Sequence, residues 1–497
     1  MGRPRTTPTW TREERHEDED DSSKSWRARS KHFLAFTRAG KPAWTRYGSA
    51  HGLGSLCASL QALVSVAEES EDGGVEAVDA RGRRLATTST KTMTYAVSSD
   101  GRERVGTLRR ELEHVKTTMT SLLTNAALEA ALVKNPKFDV GKALAAAPRG
   151  EETLGQTVLN LSWDTSYVFD TYRSIGLGED TRATARAAIV DALKEVPKPF
   201  AGALFDEASR VATYAKPAAN RPAHISPKDV ITLMNFVRVI LRPDEGTSDH
   251  ATDRAEAFER VCLPEFNSDG FMYVYASTVS TTPSASPAST PTTTPSKKNK
   301  RKSCGGPFER DDTVGVCFVV ASADALDACR RARDALECSL NEKDALSKIA
   351  RAAREGLLLD KLPSEVLGEF QASVKQLLHV VYNRPERHQH VSTAFNASVK
   401  DADVEAITRA YASTLDAMKE TEGIVDHTVS PSFEGSKQRV RYERRSRFNV
   451  LACVGGDFEI YLILKPTVTT RAAVGLCNRL CVWLRVSEPE LFVDVRA

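Results

Sequence analysis

One order of elements recurs three times along these 497 residues: two strands, a helix, three strands, a helix. The first copy runs from Lys31 to about Val133, the second from about Phe200 to Glu355, and the third from about Gln376 to Val495. In the first, His32–Phe36 and Pro42–Tyr47 are short strands joined through Ala39-Gly40. Ser49–Glu69 then carries Leu53, Leu56, Cys57, Leu60, Leu63 and Val64, offsets that draw one stripe along a helix. Val75–Val78, Arg84–Thr88 and Met93–Val97 form a meander whose first turn, Asp79-Ala80-Arg81-Gly82, has a glycine for the positive φ of a tight bend. Val105, Leu108, Leu112, Val115, Met119 and Leu122 close the copy with a second helical stripe.

The second copy has strands at Phe200–Leu204 and Arg210–Tyr214. Ser226-Pro227-Lys228-Asp229 reads as a helix start, with a hydroxyl cap, proline at the first helical position and a carboxylate three residues after the cap. Its meander is Val261–Phe266, Phe271–Ser277 and Val314–Ala321. The third copy has strands at Leu377–Tyr382 and Val391–Phe395, and a helix through Val404, Ile407, Tyr411, Leu415 and Met418. Its meander is Gln438–Tyr442, Arg447–Cys453 and Phe458–Leu464, and a helix through Ala473, Leu476, Leu480 and Leu484 closes it.

A chain this long suits about three domains. Residues 1–29 are polar and read as a disordered tail, 30–145 as the first module, and 146–198 as a helical connector in which Trp163 and Tyr167 are expected at an interface or in packing. Residues 199–360 form the second module, with a disordered insertion at 281–312, and 361–497 the third. The insertion includes the Ser/Thr/Pro-rich stretch Thr281–Lys302, which ends in the basic run Lys297–Lys302 and is too polar to order itself. Hydrophobic content of 41% supports globular folding, and a net charge of +2 argues against a dedicated nucleic-acid binder. Nine scattered cysteines, five of them in apolar stripes or strands, suit a reducing compartment. No apolar run reaches the roughly 20 residues needed to span a bilayer. A cytoplasmic protein is expected.

The common chemical signatures are missing. Gly101 and Gly106 are spaced as in a phosphate loop, but Thr107 stands where lysine is required. Gly52-Leu53-Gly54 lacks the third glycine of a dinucleotide fingerprint. Cys477 and Cys481 are four apart on a helix, and His388 and His390 flank Gln389 in a polar stretch; neither pair completes a four-ligand metal site. No catalytic residue, metal or cofactor is expected. The densest basic segment contains Lys437, Arg439, Arg441, Arg444 and Arg445, and on a strand Arg439 and Arg441 share a face. Such a face suits anionic or phosphoinositide lipid, at about 1 kcal/mol per basic residue, or is the charge that protects an edge strand.

The stretch His32-Phe33-Leu34-Ala35-Phe36-Thr37-Arg38-Ala39-Gly40-Lys41-Pro42, continuing to Arg46-Tyr47-Gly48-Ser49, resembles the SAND family, the Mon subunits of the Mon–Ccz complex. The likeness continues through Val261-Cys262-Leu263-Pro264-Glu265-Phe266-Asn267 and Gly456-Asp457-Phe458-Glu459-Ile460-Tyr461 to Asn478–Trp483 and Leu491-Phe492. The resemblance implies an α/β (α+β) fold of three longin domains, each a five-stranded, mostly antiparallel sheet flanked by helices. It also implies a Ccz-type partner subunit, with which family members act as a guanine nucleotide exchange factor for a late-endosomal, Rab-seven-type GTPase. That implies peripheral association with late endosome and vacuole membranes. From their place at the hairpin–helix junction, Lys41, Trp44, Tyr47, Ser49 and Leu53 are the expected contacts to the GTPase or the partner. A vesicle coat or adaptor subunit without exchange activity is the alternative.

Overall fold

The computed structural model describes residues 7–69, 77–217, 225–242, 255–281, 313–357, 359, 362–367, 376–420 and 439–493. A short helix α1 (Lys24–Ala28) precedes β1 (Lys31–Thr37), β2 (Pro42–Thr45), α2 (Gly54–Glu68), β3 (Ala77–Ala80), β4 (Arg83–Ser89), β5 (Met93–Ser99) and α3 (Val105–Leu123). Then come α4 (Asn125–Lys134), α5 (Val140–Ala145), α6 (Gly150–Trp163), α7 (Thr165–Phe169), β6 (Tyr172–Arg173) and α8 (Glu179–Leu193). The middle of the chain forms β7 (Pro199–Phe205), β8 (Val211–Ala215), α9 (Pro227–Ile240), β9 (Glu256–Leu263), α10 (Pro264–Asn267), β10 (Ser268–Ser280), β11 (Thr313–Val320), α11 (Leu326–Glu342) and α12 (Ala345–Glu355). After α13 (Ser364–Leu367) follow β12 (Leu377–Arg384), β13 (Gln389–Ser392), α14 (Asp401–Glu420), β14 (Arg439–Arg444), β15 (Asn449–Val454), β16 (Glu459–Leu464), α15 (Thr470–Val486) and α16 (Glu488–Leu491).

Three sheets result, with strand orders β2-β1-β5-β4-β3, β8-β7-β11-β10-β9 and β14-β15-β16-β12-β13-β6. Apart from the β13–β6 pair, neighbouring strands run antiparallel. The mixed α/β class and the mostly antiparallel sheets expected from the sequence are therefore present. Arg81 and Gly82, at φ 50° and 79°, turn β3 into β4.

Strand alternation sends side chains to two helical layers. In the first sheet Phe33, Ala35, Tyr95 and Val97 join α3, while Leu34, Phe36 and Ala96 meet Cys57 of α2 and Leu53 just before it. In the second, Ala201 and Phe205 face α9, and Leu204, Val316 and Phe318 face α8 and α11. In the third, Val450 and Ala452 face α14, and Leu451 and Cys453 face α15. Helices α3, α6 and α9 share one apolar cluster, so the first two modules are fused through a continuous core.

Four expectations change. The third sheet has six strands, because β6 pairs in parallel with Gln389 and His390 of β13. Two residues are too few to show an alternation in sequence. The connector region is therefore not wholly helical, and its last helix, α8, is one layer of the second module. The expected strand Val261–Phe266 stops at Leu263, where Pro264 opens α10. Ser226 caps α9 without a side-chain bond, and the carboxylate of Asp229 instead accepts the backbone N–H groups of Glu265 and Phe266 at 3.2 and 3.0 Å. That carboxylate thereby satisfies two donors at the start of α10.

The fourth change is at the N-terminus. Residues 7–29, expected as a disordered tail, are ordered as a strap. Trp10 is 3% exposed and lies against Gly155, where a Cβ would come within 2.2 Å of the indole. The Trp10 backbone N–H donates to Gln156 Oε1 at 3.0 Å, and Gln156 Nε2 donates back to the Pro8 carbonyl at 2.9 Å. Trp26 stacks on His32 with ring centroids 3.7 Å apart. Two buried indoles provide the apolar area that the composition of the segment as a whole does not suggest. The insertion at 282–312 and its basic run lie outside the described residues, as does Lys437.

Candidate docking surface

The strap runs over the hairpin–helix junction where contacts were expected. Gly48 N–H donates to the Arg15 carbonyl at 2.8 Å, Trp26 Nε1 to the Tyr47 carbonyl at 3.3 Å, and Arg46 pairs with Glu14 at 3.3 Å. Tyr47 is half-buried, with the Arg29 guanidinium 4.1 Å and that of Arg46 4.8 Å from its ring centroid. Ser49 Oγ accepts Gly52 N–H at 3.0 Å and closes a local turn. Trp44 and Leu53, 1% and 0% exposed, are core residues and not surface contacts. Trp44 fills the cluster under α3, and Leu53 the cluster under α2. Lys41 stays accessible and pairs with Asp139 at 3.2 Å. The Lys142 backbone N–H, helped by Lys41, holds the Asp139 carboxyl below its ordinary range.

What the first module presents outward is α2. Residues 54–67 contain no charged side chain. Leu63 is 46% and Val66 70% exposed, with Ala58, Ser59 and Ala62 exposed beside them. The first helices of the other two modules sit differently. Helix α9 packs against α3 and α6, and α14 packs against α3, α6 and α7. Helix α2 is thus the one whose outer face is left open among the described residues. A helix stretch without charge and with large apolar side chains in water marks an interaction face more often than a solvated one.

The seam between the first and third modules is ionic. Thr107 Oγ1 donates to Asp416 Oδ2 at 2.6 Å, and Arg110 bonds the other oxygen of the same carboxylate. Arg110 also reaches Asp170 at 3.7 Å, which His114 approaches at 3.0 Å. Lys31 holds Glu103 and Glu111 at 2.6 and 2.8 Å, and Arg409 of α14 approaches Glu103 at 3.5 Å. Buried charges need this pairing, and losing one member leaves the others uncompensated.

The basic segment of the third module lies on β14, the edge of its sheet. Arg439 and Arg441 share the face toward α14, as strand geometry requires. Carboxylates temper this charge: Glu443 binds Arg441 at 2.7 Å and Arg445 at 2.8 Å. Burial opposes the ionised form of Glu443, but these two guanidinium groups hold its pKa below the ordinary value. Arg444 is exposed and points the other way along the strand.

Trp163 packs against the α14 cluster, and buried Tyr167 accepts Asn160 Nδ2 at 3.2 Å, so both are internal. An apolar cavity of about 30 Å³ lies between the second sheet and α9, beside Tyr172, Tyr214, Met234 and Cys317, with room for little more than one water. Sequence reasoning did not anticipate the strap, the ionic seam, or the approach of Cys453 to Cys477 and Cys481. Trp10 and Trp26 in a polar stretch were the available signal for the strap. The seam joins residues about 300 positions apart, and no local pattern carries it. No described helix is long and apolar enough to cross a membrane.

Residues 31–149 match the first longin domain of FUZ, MON1 and HPS1, and residues 376–488 match the third longin domain of the same proteins. The chain is 24% identical to a vacuolar fusion protein MON1 homolog of Oryza sativa subsp. japonica, over 97% of this chain and 78% of that protein. It is 25% identical to the Arabidopsis thaliana homolog of the same name, over 98% and 73%. Against Protein SAND of Takifugu rubripes it is 24% identical, over 96% and 79%.

Proposed function

Since this chain belongs to the SAND/Mon family of longin-domain vacuolar fusion proteins, we propose that it pairs with a Ccz-type longin subunit and that the pair is a guanine nucleotide exchange factor for a late-endosomal, Rab-seven-type GTPase. A role in vacuolar fusion and membrane trafficking follows from the family. Exchange needs no nucleophile, metal or cofactor from this chain. The pair binds the nucleotide-free GTPase more tightly than the loaded one and so speeds release of bound nucleotide. The single observation that carries the reading is the uncharged outer face of α2, with Leu63 and Val66 exposed where its counterparts in the other modules are covered. Lys41 and Tyr47 flank the same module and remain accessible in part. Arg439, Arg441, Arg444 and Arg445 on the β14 edge favour an anionic membrane surface, which would place the complex peripherally on late endosomes and vacuoles.

The test is copurification of the full chain with a longin-containing partner, followed by nucleotide release from the GTPase. Leu63→Asp and Val66→Glu should weaken pairing or slow release at least about tenfold, the cost of burying an unpaired charge in an interface. Lys41→Ala and Tyr47→Ala should weaken release less. Full pairing and full release with both charged variants would remove α2 from the proposal. An adaptor without exchange activity would instead bind membrane and partner while leaving nucleotide release unaccelerated.

A further inference from the structure

Three thiols converge between the third sheet and its closing helix. Cys453 lies on β15, paired with Val440 and Ile460 on its two neighbours, and its side chain joins the cluster beneath α15. Cys477 and Cys481 are one turn apart on α15 and face the same layer. The three sulfurs lie within 4.8 Å of one another, and the residues are 1%, 2% and 8% exposed. All three are thiols and not disulfide sulfurs. The other buried cysteines with a place in the apolar clusters, Cys57, Cys317 and Cys329, each sit in a different cluster, so among the described residues convergence is peculiar to this site.

We propose that Cys453, Cys477 and Cys481 form a three-coordinate site for a soft, monovalent d10 cation of the copper(I) class. Three features select that chemistry. Thiolate sulfur prefers soft cations such as copper(I) to magnesium or calcium. A metal at the centre of three sulfurs, with bonds of about 2.3 Å, needs a triangle with edges of about 4 Å. The three sulfurs lie within 4.8 Å of one another, so small side-chain shifts can close that triangle. No fourth histidine, cysteine or carboxylate among the described residues completes the group, and Leu451, Ile460, Leu480 and Leu484 line the same cluster. Structural zinc takes four ligands; three dry sulfurs suit a trigonal cation. Cys481 is the least buried of the three and marks the side of entry. Arg485, one turn further along α15 and paired with Asp457 at 3.0 Å, supplies positive charge beside the anionic trithiolate complex. Binding breaks three S–H bonds, forms three metal–sulfur bonds and releases three protons to solvent. No electron is transferred when the ion is supplied as copper(I).

The experiment uses the full chain with Cys304→Ala and Cys338→Ala, which removes one cysteine outside the described residues and one exposed one. Copper(I) is titrated anaerobically against a copper(I)-specific chelator, and the sulfur shell is read by X-ray absorption. The expected result is one equivalent withheld from the chelator, with three sulfurs at about 2.3 Å. Cys481→Ala and Cys453→Ala should each lower the affinity at least about 100-fold, as loss of a direct ligand exceeds the 10–100-fold of an outer partner. Cys329→Ala, in another core, should leave binding unchanged, and circular dichroism of the metal-free variants checks that they fold. No withheld copper, a two-sulfur shell, retention of binding by a folded Cys453→Ala variant, or tighter four-coordinate zinc binding would each overturn the proposal.

Discussion

Replacing His390 with glutamine should make the third sheet less sensitive to acid. His390 is 0% exposed on β13, and its surroundings suit only the neutral ring. Asn383 Nδ2 donates to Glu459 Oε2 at 3.0 Å, which leaves Asn383 Oδ1 to accept the Thr171 hydroxyl at 3.0 Å. Thr171 Oγ1 then accepts His390 Nδ1–H at 2.9 Å, and Nε2 accepts the Thr165 hydroxyl at 2.8 Å. Burial, and after it repulsion from Arg173, pushes the His390 pKa from 6.5 down to about 3. The folded pKa lies below the unfolded one, so the unfolded chain takes up the proton first as pH falls. Stability from the neutral ring is complete above 6.5 and is lost progressively as pH falls through the window toward 3. Between pH 7 and about pH 5.5 the loss is roughly 1.2 kcal/mol for this one group. The glutamine variant pays a fixed cost at every pH but lacks that slope. Its stability deficit should therefore shrink by roughly 1.2 kcal/mol over this range. Amide hydrogen exchange across Gln389–Ser392 and the paired residues of β12, measured at several pH values, reads the difference locally. A deficit that is independent of pH would mean that His390 protonates within the folded sheet, and the burial argument would fail.

Other outcomes follow from the same structure. Trp10→Ala should weaken the hold of the strap by about 3 kcal/mol, the low end for deleting a buried tryptophan, and protease cleavage within residues 7–29 should rise while the sheets keep their exchange protection. Gly155→Val should release the strap equally, because a Cβ there meets the indole at 2.2 Å; unchanged cleavage in both would refute the anchoring role of Trp10. Asp416→Ala removes the shared acceptor of Thr107 and Arg110 and should cost about 3 kcal/mol. Exchange should quicken in α3 and α14 first, and uniform loss across all three sheets would contradict a local seam.

The repeated modules were legible because each strand and helix carries its own period. Leu204, Val316 and Phe318 alternate onto one sheet face, and Leu476, Leu480 and Leu484 recur along α15, so local patterns specify the layers. Elements defined by distant partners were not legible. Strand β6 exists because β13 offers it an edge, and Asp229 leaves its expected capping role for the α10 amides. His390, read as part of a polar stretch, is buried because β6 and α7 cover that end of the third sheet. The expected contact set was legible only in part. The hairpin–helix junction is where the sequence places it, yet whether Trp44 and Leu53 face water depends on α3, α2 and the strap closing over them. The apolar stripe of α2 predicts its inner face. Its outer face is informative only when compared with α9 and α14, which requires the assembled fold.

The most direct measurement is the rate at which a late-endosomal Rab GTPase loaded with fluorescent GDP releases it in the presence of this chain copurified with its longin partner, on anionic vesicles. Release accelerated at least about 100-fold over the intrinsic rate, and lost with Leu63→Asp, is the expected result. A pair that assembles, binds the vesicles and leaves the intrinsic rate unchanged would contradict the exchange function.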